Sequence, residues 1–223
     1  MNTVDIALFD QALAGADCWV RSTNGSRRPL PTRRWLGVSD VAADRHVDTA
    51  LMCCCDGPTI DLGCGPGRLV AGLVRRGVVA LGVDISPMAI AVSRFRGAPA
   101  LRRDVFGPLP GSGRWAYAIV ADGNLGIGGD PVRMLANVES LLARDGIAIV
   151  EFSAPGTGML ADTIRLETRT SVGEWFPWAR VGIELADPIA TSAGLRVLTT
   201  ANVSGRYIAW LRPAAPGSRV RQR

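Results

Sequence analysis

The sequence predicts an α/β fold, a doubly wound and mostly parallel sheet, and three observations carry that prediction. Thr59-Ile60-Asp61-Leu62 reads as a strand, Arg68 to Val74 as the first turns of a helix, and the run Gly63-Cys64-Gly65-Pro66-Gly67 lies between them. After residue 56 strand-like and helix-like patterns alternate, which implies parallel strands joined by right-handed crossovers. The chain closes on two strand patterns around Ser204-Gly205, a hairpin, so one of them runs antiparallel to its neighbours.

Taken in order, Ile6, Phe9 and Leu13 share one helical face in a helix expected to start after Thr3, and Asn24-Gly25 is a hairpin-turn signal. The stretch LPTRRWLGVSDVAADRHV leads into a helix expected to begin at Ser39 or Asp40. Residues 1–47 are therefore read as an arm, placed to lie across the open end of the sheet as a lid. Strands are expected at 58–62, 78–83, 99–103, 115–121 and 146–152, with helices at 67–76, 87–96 and 131–143. A helix over 184–194 and strands over 195–202 and 205–211 complete a domain spanning 48–212. Residues 213–223, with Pro213, Pro216, Gly217 and three arginines, read as a disordered, solvated tail.

Composition narrows the function. A chain of 223 residues, nearly half of them hydrophobic, suits one globular domain. Asp5 and Asp10 occupy the first ten residues, where a secretory signal would be basic and then apolar, and no apolar run reaches the ~18–20 residues that cross a bilayer. The expectation is a cytoplasmic protein, monomeric or homodimeric, without a membrane partner. Five cysteines are an odd number and imply reduced thiols. Cys53, Cys54 and Cys55 diverge by about 100° each on a helix and are read as small packing residues, so no metal site is expected. The chain has 25 arginines and no lysine, which points to a GC-rich, bacterial coding sequence and excludes an internal Schiff base or a phosphate-loop lysine. The net charge of +5 permits nucleic-acid binding, with Arg21, Arg27, Arg28, Arg33 and Arg34 as the basic arm.

The first two glycines of the loop allow a tight turn and close approach of a ligand to backbone, and the helix start offers free N–H groups. NAD, FAD and S-adenosylmethionine all satisfy that description. The dinucleotide fingerprint puts its third glycine at position 68, where this chain has Arg68; the third glycine comes one residue early, at Gly67. A bulky cation there argues against a pyrophosphate cradle. Asp61 suits a cationic amino group, Asp84 at the end of VVALGVD suits the two hydroxyls of a ribose, and Asp104-Val105 suits an adenine amino group and ring. Asp122-Gly123-Asn124 ends a fourth strand. These strand-end acids share one crevice at the topological switch point of such a sheet.

On DLGCGPGR, GVDIS, RRDVF and ADGNLG, the chain resembles the class I S-adenosylmethionine-dependent methyltransferases, well over 58–152 and in outline at the closing helix and hairpin. The resemblance implies seven strands in the order 3-2-1-4-5-7-6 with strand 7 antiparallel. It also implies a cofactor site of Asp61, Gly63, Cys64, Gly65, Gly67, Asp84, Ile85, Asp104, Val105 and Asp122, with S-adenosylmethionine converted to S-adenosylhomocysteine. The expected partner is a small-molecule acceptor methylated at O, N or C. A nucleic-acid substrate is disfavoured because the fourth motif lacks the Asn/Asp-Pro-Pro-aromatic signature; a non-catalytic S-adenosylmethionine binder is the third reading.

A base is needed only if the acceptor must lose a proton. His46, the only histidine, is one candidate and reads equally as an ordinary polar residue on an amphipathic helix; Asp122 and Glu151 are the others. GNLGIGGDP is either a plain connection capped by Asp130 or a wall of the substrate site. Trp175, Phe176 and Trp178 either staple the 153–183 insertion to the core or line a pocket for a flat, apolar acceptor.

Overall fold

The computed structural model describes residues 5–214; the helix start expected after Thr3 and the tail from 215 onward lie outside the described residues. The chain opens with α1 (Ile6–Leu13), the hairpin β1 (Trp19–Ser22) and β2 (Arg27–Pro29), the single turn α2 (Thr32–Trp35) and α3 (Ala42–Met52). The alternating part follows: β3 (Thr59–Leu62), α4 (Arg68–Arg75), β4 (Ala80–Asp84), α5 (Pro87–Phe95), β5 (Ala100–Arg102), β6 (Trp115–Val120), α6 (Pro131–Leu141) and β7 (Leu142–Phe152). The insertion holds β8 (Met159–Glu167) and β9 (Phe176–Val181), and α7 (Ala186–Ser192), β10 (Leu195–Val203) and β11 (Arg206–Pro213) close the chain.

Seven strands form the main sheet in the order β10-β11-β7-β6-β3-β4-β5, the 3-2-1-4-5-7-6 order of the family when the strands of this sheet are counted along the chain. Strands β3 to β7 pair in parallel, and β11 is antiparallel to both β7 and β10. Successive side chains on the central strands go to opposite faces. Ala118, Val120, Ala148 and Val150 join the core under α6 and α7, while Ile119 and Ile149 join the core under α3, α4 and α5. Both faces are thus covered, which is why these strands read as continuous apolar runs.

The amino-terminal hairpin does not stand alone. β1 pairs antiparallel with β8 across the whole molecule, Trp19 opposite Glu167 and Ser22 opposite Ile164, giving a second sheet in the order β2-β1-β8-β9. Its inner face, with Val20, Ile164, Leu166 and Phe176, packs on Leu8 and Ala12 of α1. Insertion and arm are therefore one layer.

Several boundaries move. The α1 cap is Asp5, whose Oδ1 accepts from the Leu8 N–H at 3.2 Å. Helix α3 begins at Ala42, not Ser39 or Asp40, because Asp40 is engaged with Arg33 at 3.2 Å and the Ser39 hydroxyl accepts from the Val41 N–H at 3.3 Å. That helix runs unbroken through the expected 47/48 boundary, and β11 extends to Pro213, opposite Leu195. Of the consecutive cysteines, Cys55 is buried and Cys54 half-buried, whereas Cys53 is exposed, its thiol donating to the Ala50 carbonyl at 3.3 Å. Among the described residues no helix is long and apolar enough to cross a membrane.

Candidate active site

The loop after β3 is held by backbone. The N–H groups of Gly63 and Cys64 both donate to the Val83 carbonyl, at 2.8 and 3.0 Å, so the loop is pinned to the end of β4. Gly63, Gly65 and Gly67 all have positive φ, at 73°, 51° and 76°, a region open to glycine. A Cβ on Gly65 would meet nothing within 4 Å, so this glycine faces open space. A Cβ on Gly67 would lie 2.8 Å from the Ser93 Cβ and 3.1 Å from the Ala98 Cβ, so Gly67 gives α4 its close approach to α5. This is the packing role that the dinucleotide fingerprint assigns to position 68. Cys64 turns into the core against Gly82 and offers the site only its backbone.

Three acids stand at successive strand ends around a cavity of about 690 Å³. Asp61 is 3% exposed and has no hydrogen-bond or ion-pair partner among the described residues. Burial, and then the charges of Asp122 and Asp84, push its carboxyl up to about 8. Asp84 is buried and accepts from the Gly65 N–H at 2.8 Å and the Ser86 N–H at 2.9 Å. Burial raises its pKa, and those N–H groups oppose the rise. Each oxygen keeps a further lone pair toward the cavity, which Ile85 also lines. Asp104 is exposed, with Oδ1 accepting from the Phe106 N–H at 2.9 Å, and Val105 beside it is buried in the core edge.

Asp122 sits differently. It has a positive φ of 57° and lies among Arg34, Arg68 and Arg206, at 3.1 Å from Arg34 Nε and 2.8 Å from an Arg206 terminal nitrogen. Burial alone would raise its pKa, but the three guanidiniums outweigh that and hold the carboxyl below its ordinary range. Glu151 accepts from the Asp122 N–H at 2.6 Å and from Arg206 Nε at 2.6 Å, and Arg68 also pairs with Asp48 of α3. The cluster ties α2, α3, α4 and the ends of β6, β7 and β11 together. A carboxylate so held is a poor proton acceptor and a rigid fixture. The arginine at position 68 is thus part of this lattice. Next to it, the Asn124 amide donates to the Leu62 and Gly63 carbonyls at 3.1 and 2.8 Å, fastening the fourth strand end to the glycine loop.

The opposite wall is made by the arm and the insertion. Phe9, Leu30 and Trp35 from the arm face Phe176 and Trp178 from β9. Phe9 and Trp35 lie with centroids 5.5 Å apart, Phe176 and Trp178 edge to face at 6.3 Å. Trp175 is on the other face of the second sheet, under Arg165 at 4.6 Å, so only two of the three clustered aromatics line the cavity. In the GNLGIGGDP segment Asp130 caps α6 by accepting from the Arg133 N–H at 2.9 Å, and Gly123 to Gly128 line the cavity.

His46 is exposed and does not line the cavity. Helix α3 buries Val47 and Leu51, four apart on one face, which turns position 46 toward solvent. The candidate base on this helix is thus corrected; the acid of α3 joined to the Asp122 cluster is Asp48, through Arg68. Sequence reasoning missed Arg34, Arg206 and Trp35 as parts of the site. Trp35 and Arg34 occur in the basic arm, where the only signal was an aromatic beside arginines.

No protein-family model matches the chain, and no curated protein matches it in sequence. Solved structures do. An S-adenosylmethionine-dependent methyltransferase from Bacteroides fragilis, in complex with S-adenosylhomocysteine, aligns at TM-score 0.71 and 20% identity, over 94% of this chain and 92% of that one. The Burkholderia thailandensis 1,6-didemethyltoxoflavin-N1-methyltransferase, with 1,6-didemethyltoxoflavin and S-adenosylhomocysteine bound, aligns at 0.60 and 17%, covering 78% of this chain and 80% of that one. The sugar N-methyltransferase KedS8 from Streptoalloteichus aligns at 0.55 and 16%, over 78% of this chain and 87% of that one. The chain has the fold of these methyltransferases.

Proposed function

We propose that this chain transfers a methyl group from S-adenosylmethionine to a small-molecule acceptor, releasing S-adenosylhomocysteine. The observation that carries the reading is Asp61, a buried carboxylate without a partner at the foot of the glycine loop, facing the cavity. Alone, such an acid keeps its proton, and a cation placed beside it lets it ionise and completes it. The ammonium of the cofactor's methionine part is such a cation. In the same reading Asp84 holds the ribose hydroxyls, Asp104 meets the adenine amino group, Ile85 and Val105 flank the ring, and Gly65 leaves room for the chain between them.

When bound, the cofactor supplies a methyl group already activated on sulfur. What the protein adds is placement: a rigid floor set by the Asp122 cluster and an aromatic roof that keeps water from the acceptor. Holding two reacting atoms in line at about 3–3.5 Å supplies much of the acceleration. Asp122 acts here as a positioning residue, and no proton transfer is assigned to it or to His46. A bacterial, cytoplasmic setting fits the lysine-free composition and five free cysteines.

Nucleic acid is the weaker substrate class. Arg21 and Arg27 of the arm pair with Glu167 at 2.7 and 3.6 Å, Arg33 with Asp40 and Arg34 with Asp122, so most of its charge is used internally. The test of the enzyme is incubation with methyl-deuterated S-adenosylmethionine and a panel of small phenols, carboxylic acids and amines, read by mass spectrometry. A labelled product with matching S-adenosylhomocysteine is expected. S-adenosylhomocysteine binding without turnover on any acceptor would favour the non-catalytic binder, and tight, salt-sensitive RNA or DNA binding the nucleic-acid enzyme.

A further inference from the structure

Beneath the second sheet lies a smaller alcove of about 60 Å³ whose walls come from that sheet and its β1–β2 turn, among them Ser22, Arg28, Asp162, Ile164, Trp178 and Arg180. None of the glycine loop or of the main-sheet strand ends enters it, so it is not part of the cofactor crevice. It adjoins the main chamber: Arg28, Ile164, Trp178 and Arg180 line both.

Two guanidiniums and one carboxylate meet here, and the carboxylate is already engaged. Asp162 Oδ2 accepts from the Ser22 hydroxyl at 2.6 Å, and Oδ1 from the Thr163 N–H at 2.8 Å and the Thr23 hydroxyl at 3.3 Å. Neither Arg28 nor Arg180 has a carboxylate within ion-pair distance among the described residues, although Arg34, Arg68 and Arg206 in the same chamber each have one. The two reach the alcove from opposite edge strands, β2 and β9, where nothing in strand pairing requires like charges to converge. Both arginines are exposed to the open chamber; partial desolvation, and then the charge of Arg180, lower the pKa of Arg28 against the opposing charge of Asp162. Each guanidinium presents a planar fork of donors that fits a carboxylate or phosphate, and the one acid of the alcove, Asp162, spends its oxygens on Ser22, Thr23 and Thr163.

We infer that the acceptor is a flat molecule bearing a compact anionic group, which Arg28 and Arg180 clamp in the alcove while its ring lies against Trp178 in the main chamber. This rests on the methyl-transfer reading of the cavity. It assigns the insertion and the arm a joint task, since each contributes one arginine.

The test titrates the full chain, saturated with S-adenosylhomocysteine, with 2-hydroxybenzoate, its uncharged counterpart 2-hydroxybenzamide, and phenyl phosphate. The same series is run on Arg28→Gln/Arg180→Gln. At least one anion should bind the wild type tenfold or more tighter than the amide, and the stronger of the two identifies the headgroup as carboxylate or phosphate. The double variant should lose that preference while binding S-adenosylhomocysteine within about twofold of wild type, which shows that fold and cofactor crevice survive. Equal binding of acid and amide, no binding of either anion, or a preference that persists in the variant, each with S-adenosylhomocysteine still bound, overturns the clamp and leaves the cofactor reading standing. Failure of the wild type to bind S-adenosylhomocysteine overturns both.

Discussion

Replacing Arg206 by methionine will destabilise the folded chain by about 3–5 kcal/mol, the loss seen when one partner of a buried ion pair is removed. Arg206 contacts both Glu151 and Asp122, and all three side chains are at least 86% buried. Asp122 keeps Arg34 and Arg68, but Glu151 has no other cation within ion-pair distance among the described residues. The cost therefore falls mainly on Glu151, left charged in a low-dielectric surround. Urea denaturation at neutral pH measures it, and Arg206→Met/Glu151→Gln should recover a substantial part. A loss below about 1 kcal/mol, the value of an exposed pair, would mean that the cluster is solvated and does not brace the floor of the site.

Gly65 and Gly67, on either side of Pro66 in the same loop, should respond in opposite ways to alanine. Gly67→Ala combines a φ of 76°, costing roughly 1–2 kcal/mol for an L residue, with a methyl group forced against Ser93 and Ala98. Both neighbours are buried and short, so neither can swing away, and overpacking of this kind costs about 1–3 kcal/mol more. Gly67→Ala is therefore expected to lose about 2–5 kcal/mol of stability, and Ser93→Gly in the same chain should return the steric part. At Gly65 the new methyl meets nothing in the protein, so only the backbone term applies to folding. The methyl instead points into the space the ligand needs. Gly65→Ala should remain folded and lose S-adenosylhomocysteine binding; equal stability losses at the two positions would contradict the geometry.

The main sheet was legible because its signals are local. β3, β4, β6 and the 146–152 part of β7 are short, largely apolar runs, and start signals such as Asp130-Pro131 before α6 punctuate the chain between them. The second sheet was not legible. Its decisive pairing joins Trp19 to Glu167, and none of the first five residues of β8 is buried before Ile164 begins to alternate with Leu166. Nothing in either segment alone names the other. The same limit governs the site. Asp61, Asp84 and Asp104, which line the cavity, could be placed because an acid in or just after a short strand pattern is a local signal. Arg34 and Arg206, which together with Arg68 hold the Asp122 carboxyl below its ordinary range, approach from far along the chain. His46 shows the converse error: residue type suggested chemistry, but the helical phase set by Val47 and Leu51 decides where the ring points.

The central claim is that the crevice holds a nucleoside with a cationic tail, and calorimetric titration with S-adenosylhomocysteine, with NAD as control, tests it most directly. Asp61 titrates at about 8 in the free protein, so near pH 7 it carries a proton that must leave when an ammonium takes its place. Binding should therefore release close to one proton near pH 7, seen as a dependence of the heat on the buffer, and affinity should rise as pH approaches 8. Asp61→Asn should abolish the release, and Asp84→Asn should weaken binding about tenfold or more, as expected for a charge-assisted hydrogen bond worth about 1.5–3 kcal/mol. Binding of NAD in place of S-adenosylhomocysteine, or S-adenosylhomocysteine binding indifferent to both substitutions, would contradict the account.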